Sequence, residues 1–109
     1  MKITVINFTY GTSKSKDYQG CPVVTGVLDG VKVREVGYGY DMVGAILSEF
    51  INDGLVSQNY LDKSKFNQKT GKYYVNLCLS EAVRLLEDYG FSVKLNYLKG
   101  LLLSVILVK

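Results

Sequence analysis

Hydrophobic and polar positions change their period several times along the chain. From Lys2 to Tyr10 the run Lys-Ile-Thr-Val-Ile-Asn-Phe-Thr-Tyr is dense in β-branched and aromatic types, which suit a pleated surface, and it predicts a strand. Residues 11–20 are glycine, hydroxyl and charged types and predict a loop. Two valine-rich runs, Val23–Leu28 and Val31–Val36, flank Asp29-Gly30. Asp-Gly between such runs predicts a tight hairpin, because both residues tolerate the positive φ of a type I′ turn. In the second arm Val31 and Val33 point one way and Lys32 and Arg34 the other, so one face is dry and one wet. The first three strands are expected to form an antiparallel meander.

The period then shifts from two to 3.6. Val43, Ile46, Leu47, Phe50 and Ile51 fall at i, i+3, i+4, i+7 and i+8, the stripe of an amphipathic helix. Asp41 stands where an N-cap belongs, and Asn52-Asp53-Gly54 where the helix should stop. Residues 57–71 are polar and predict a long loop, and Lys72–Leu77 predicts a strand. Ser80 is placed to cap a second helix with Ala82, Leu85, Leu86 and Tyr89 on its apolar side and Gly90 just past its end. Phe91–Tyr97 and Leu101–Val108 form a second hairpin. The order β-β-β-α-β-α-β-β lacks regular βαβ alternation. It predicts a single α+β domain over residues 1–109, an antiparallel sheet with two helices on one face.

Composition narrows the chemistry more than the fold. The 109 residues suffice for one domain, and 48% hydrophobic with 21% charged residues is a globular balance. Thirteen Lys+Arg against ten Asp+Glu give +3, a mild excess, and histidine is absent. The chain by itself therefore offers no Ser-His-Asp triad, Cys-His pair, HExxH motif or Cys/His zinc set. Cys21 and Cys78 match no metal spacing and are expected to be free thiols. Residues 1–7 show no apolar core of a signal peptide, and the longest apolar run, Leu101–Val108, is far short of the ~20 residues a spanning helix needs. A cytoplasmic location is the expectation. That last run does not alternate, so both its faces want cover, from a helix layer or from a second copy of the chain.

Two segments are candidates for contact. Gly37-Tyr38-Gly39-Tyr40-Asp41-Met42 joins the hairpin to the first helix. Its glycines permit a tight turn, its tyrosines offer rings and hydroxyls, and the helix start behind it carries unpaired N–H groups. The Gly-x-Gly-x-x-Gly fingerprint fails, however, because Met42 holds the third glycine position. The second segment, Tyr60–Tyr74, interleaves Lys63, Lys65, Lys69 and Lys72 with Tyr60, Phe66, Tyr73 and Tyr74, the alternation of charge and ring that can follow a phosphate backbone. The loop at Lys14, Ser15, Lys16 and Tyr18 is expected to extend that surface, but Asp17 and Asp62 dilute the charge, and neither stretch has an arginine to read base edges. No nucleophile, base and orienting group come together, so no enzyme, cofactor or metal is expected.

Val31–Ile51, a short strand followed by Gly-Tyr-Gly-Tyr-Asp-Met and an amphipathic helix, resembles a pattern in small phage-encoded proteins, where a hairpin leads through a Gly-x-Gly-x-Asp turn into a helix. The resemblance implies a freestanding protein of a virus or prophage that binds a host component, a class that includes inhibitors of defence such as anti-CRISPR proteins. With nine tyrosines, which supply interface area at low entropic cost, the leading expectation is a non-catalytic protein docking on a host protein. Tyr18, Tyr38, Tyr40, Tyr60 and Tyr73 are its candidate contacts. The alternative is a nucleotide or nucleic-acid binder using Gly37–Asp41 or Lys63–Lys72.

Overall fold

The computed structural model describes residues 1–109. Five strands, β1 (Ile3–Thr12), β2 (Pro22–Leu28), β3 (Val31–Val36), β4 (Ser92–Leu98) and β5 (Leu101–Val108), form one antiparallel sheet in the order β3-β2-β1-β5-β4. Two helices, α1 (Met42–Phe50) and α2 (Leu79–Asp88), cover one face, α1 over β2 and β3 and α2 over β4. The chain is thus the α+β domain its patterning predicts. Neither helix is long and apolar enough to cross a membrane.

Both hairpins turn as their sequences dictate. Asp29-Gly30 (φ 49° and 81°) and Lys99-Gly100 (φ 51° and 80°) hold the paired positive φ of type I′ turns, whose twist matches that of the strands. β1 is the middle strand, and its inward residues Ile6 and Phe8 meet Val24 of β2 and Val105 and Leu107 of β5 in the core. Gly26 faces inward on β2, where any Cβ would fall 2.5 Å from a methyl of Ile46. A bare backbone there lets α1 sit down on the sheet.

α1 is buried on more than one stripe. Ile46, Leu47 and Phe50 face the sheet as predicted, but Gly44, Ala45 and Ser48 are buried too. Their cover is residues 57–78, an excursion with two 3-10 turns (Gln58–Tyr60 and Lys63–Lys65) anchored by buried Val56 and Leu61. After Phe50 the helix widens into one π turn, Ile51–Leu55, and stops at Gly54 (φ 134°).

Lys72–Leu77 is not a strand. Its hydrogen bonds go to side chains of α1 and of the π turn after it instead of to a neighbouring strand: Tyr73 N–H donates to Asn52 Oδ1 (2.9 Å), Asn52 Nδ2 donates to the Tyr74 carbonyl, and Leu77 N–H donates to Ser48 Oγ (3.1 Å). Lys72 forms an ion pair with Glu49, and its one backbone bridge is to Asn67. Buried polar groups need partners, and here the helix supplies them. The start of α2 also differs from expectation. Cys78, not Ser80, holds the cap position, with the Glu81 carboxylate accepting from its N–H (3.4 Å) and its thiol (2.9 Å). At the other end Phe91 N–H donates to the Leu86 carbonyl and Gly90 N–H to that of Glu87, the paired bonds of a Schellman motif with Gly90 at φ 92°. Cys21 and Cys78 are both half-buried and form no disulfide.

Candidate interaction surface at the tyrosine end

The turn Gly37–Asp41 lies at the end of the sheet where β1 and β3 finish and β2 and β5 begin. Positive φ at Gly37 (133°) and Gly39 (85°) bends the backbone and delivers Asp41 to the head of α1. There the carboxylate does two jobs. Its Oδ1 accepts from Gly44 N–H (2.9 Å), capping α1, and its Oδ2 accepts from Leu79 N–H (2.7 Å), capping α2. One residue thus closes both helix starts, and a carboxylate already stands where an anion would bind them.

Around this turn the fold gathers five of the nine tyrosines. Tyr38 is 72% exposed and Tyr18, from the 13–21 loop, 53%. The Tyr40 hydroxyl is held between Glu35 Oε2 (3.0 Å) and the Val36 carbonyl (3.1 Å), with Tyr18 close enough to influence its charge. The Tyr10 hydroxyl donates to the Leu102 carbonyl (2.7 Å), with Tyr97 and Asp41 nearby. Tyr97, Leu98 and Leu101 at the β4–β5 hairpin are exposed as well. Tyr10 and Tyr97 escape sequence reasoning because each lies inside a strand. The signal lies in the register, which carries both to the same end as the glycine turn.

The other four tyrosines form a second group on the helix side. Tyr60 leans on Tyr89 (centroids 6.1 Å apart), Tyr73 on Phe66 (4.9 Å), and Tyr74 lies beside Tyr89. Tyr60 is exposed and has the Lys109 ammonium 5.8 Å from its ring centre, whereas Tyr73 and Tyr74 pack partly against the core. Lys63 and Lys65 project from a 3-10 turn capped by Asp62, Lys69 sits in the tight turn between Asn67 and Lys72, and Lys72 is committed to Glu49. Tyr60 and Tyr73 therefore stand apart from Tyr18, Tyr38 and Tyr40. The lysines and rings of 60–74 do not alternate on one open face.

Burial raises the Tyr10 phenol above its ordinary range. Burial, then the hydrogen bond to Glu35, does the same for Tyr40, and burial does so for Tyr74. A raised folded-state value favours the neutral phenol, so this stability is fully present below the ordinary phenol range near pH ~10 and is lost as pH rises through it. A 295 nm titration is expected to show three phenols ionising above the ordinary phenol range, with denaturant midpoints falling only above about pH 10. A midpoint that already declines between pH 7 and 9 would contradict this origin.

A cleft of about 450 Å³ between the Ile51–Leu55 turn and the opposite end of the sheet is lined by Lys2, Lys109, Asp29 and Asp53 around Phe50 and Leu28. No protein-family model, curated protein or solved structure matches this chain.

Proposed function

We propose that this protein is a non-catalytic binding protein that docks on a protein partner through its tyrosine end. The single observation behind the proposal is the convergence of Tyr18, Tyr38, Tyr40 and Tyr97 with Leu98 and Leu101 at one extremity, all exposed and drawn from four separate segments. Tyrosine rings in this setting give large contact area with few torsions to freeze, and they dominate the energetics of many interfaces. Tyr40 and Tyr10 are already fixed by their hydroxyl bonds, so part of the ordering cost is met before contact. The resemblance to small phage-encoded proteins supports a host protein as partner, with inhibition, including inhibition of a defence system, as the biological outcome.

The test is affinity capture of the tagged chain in lysate of the host, followed by purification of the complex. The expected result is one partner at fixed stoichiometry, with Tyr38→Ala and Tyr97→Ala each weakening it by about tenfold or more, the scale of a 1.4 kcal/mol contact. Substituting Lys63 and Lys65 should leave it intact. No histidine titrates, so the affinity should hold steady from pH 6 to 8. Stoichiometric binding that ignores both tyrosine changes would overturn the placement. Capture of nucleic acid in place of protein would overturn the class.

A further inference from the structure

We infer that the cleft beside the Ile51–Leu55 turn binds a short peptide with free amino and carboxyl ends. The cleft, about 450 Å³, is a gap in the helix layer. α1 covers β2 and β3 and α2 covers β4, which leaves the start of β1 and the end of β5 without a helix above them. Along the inward side of β1 the buried Ile6 and Phe8 give way to half-buried Thr4, which brings a hydroxyl to the cleft wall. Leu28, Phe50, Leu55 and Phe91 supply an apolar floor. A concave, mostly apolar space of this size with a few polar groups around it is the ordinary form of a small-ligand site.

Four charged side chains line this space and none is in an ion pair, since the chain's one pair is Lys72–Glu49. They are sorted by sign. Asp29 comes from the β2–β3 hairpin and Asp53 from the turn that follows α1, the helix lying over those two strands. Lys2 and Lys109 come from the paired ends of β1 and β5, where Lys2 N–H donates to the Lys109 main-chain oxygen (2.8 Å) and Lys109 N–H to that of Lys2 (3.0 Å). Residues paired in this way start their side chains on one face, with Cα atoms about 5.5 Å apart. Parity with Ile6 and Leu107 makes it the inward face. The Lys109 ammonium is steadied at the cleft wall, 4.8 Å from the centre of the Phe91 ring. Bases on one side, acids on the other and an apolar floor between them call for a ligand with the opposite order of charge. From β2 to β5 is two strand spacings, about 10 Å, and three extended residues at ~3.3 Å each cover the same span. A tripeptide therefore sets its carboxylate against Lys2 and Lys109, its ammonium against Asp29 and Asp53, and its middle side chain on the floor. Capture of chain ends is a recurring mode of peptide recognition. A single amino acid, with both charges on one residue, cannot reach both sides.

Titrating the full chain with the peptide Gly-Phe-Gly, followed by amide NMR shifts, tests this. The expected dissociation constant is about 1 mM or tighter, with the largest shifts at Thr4, Leu28, Gly54 and Lys109 and none at Tyr38. Amidating the peptide's carboxyl end should weaken binding roughly fivefold or more in the parent and less than about twofold in a Lys2→Gln, Lys109→Gln double variant. Acetylating its amino end should do the same in the parent and lose its effect in an Asp29→Asn, Asp53→Asn double variant. All four positions are exposed, and asparagine before glycine suits a type I′ turn, so both variants should fold. An absence of shifts at about 5 mM peptide overturns the inference. So does a doubly capped peptide that binds as well as the free one, or a capping penalty that survives the matching double variant. Neither variant touches the tyrosine end, so the partner reading is tested separately.

Discussion

Gly44→Ala is expected to destabilise the protein severely, lowering its melting temperature by on the order of 10–20 °C. Helix propensity alone points the other way, since alanine inside a helix is worth ~1 kcal/mol over glycine. Contact geometry decides the sign. A Cβ at position 44 would fall 2.1 Å from the Leu77 carbonyl oxygen and 2.7 Å from backbone atoms of Cys78 and Leu79. Those are main-chain atoms at the head of α2, with no flexible side chain to swing aside. Making room means moving that backbone away from α1, which strains the bonds that Asp41 makes to Leu79 and Ser48 to Leu77. Overpacking of this kind costs roughly 1–3 kcal/mol and sometimes more, before the lost hydrogen bonds are added at about 1 kcal/mol each. For a domain of this size each 1 kcal/mol moves the melting temperature by about 4–8 °C. Gly11→Ala is the control, because nothing lies within 4 Å of a Cβ there. A Gly44→Ala protein that melts within a few degrees of the parent would show that α2 is not seated on α1 as described.

Asn52→Ala carries the second large effect, an expected loss of about 2–3 kcal/mol. The Asn52 side chain is the link between α1 and the returning chain. It donates to the Ser48 and Tyr74 carbonyls and accepts from the Tyr73 and Tyr74 N–H groups. Truncation leaves the Tyr73 N–H and the Tyr74 carbonyl half-buried without these partners, and each unmet group costs ~1–3 kcal/mol. Water reaching the partly exposed site offsets some of this. Urea denaturation should show the loss in full. Hydrogen exchange should show faster exchange at the Tyr73 amide while the β1 and β5 amides keep their rank order. Unchanged protection at Tyr73 would dismiss the link.

These two positions mark where the sequence stops being legible. Patterns that close within a few residues were readable: the type I′ turn at Asp29-Gly30, the second hairpin, the Val43–Ile51 stripe, the Asp41 cap and the Gly90 stop, and with them the α+β class. The segment 72–77 was not. Its run Tyr73-Tyr74-Val75 carries strand propensity, yet a strand is made by the partner that receives its hydrogen bonds, and here Ser48 and Asn52 receive them from more than twenty residues away. For the same reason nothing in the sequence around Gly44 announces that a second backbone passes there. The tyrosines divide along the same line. Tyr18, Tyr38 and Tyr40 announce themselves beside turns, whereas Tyr10 and Tyr97 join them only through strand register, and Tyr60 and Tyr73 leave the group because the 57–78 excursion folds onto the helix layer.

Asp41 also bears on how force and motion would pass through the molecule. Its neighbours Tyr38 and Tyr40 stand at the proposed point of contact, while its two carboxylate oxygens hold the first turns of two helices that begin 37 residues apart. A partner that draws the glycine turn outward by even an ångström would lengthen both hydrogen bonds at once, because they share one rigid planar group. The heads of α1 and α2 would loosen together. The carboxylate thus acts as a coupling pin, giving events at the tyrosine end a short mechanical path into the helix layer.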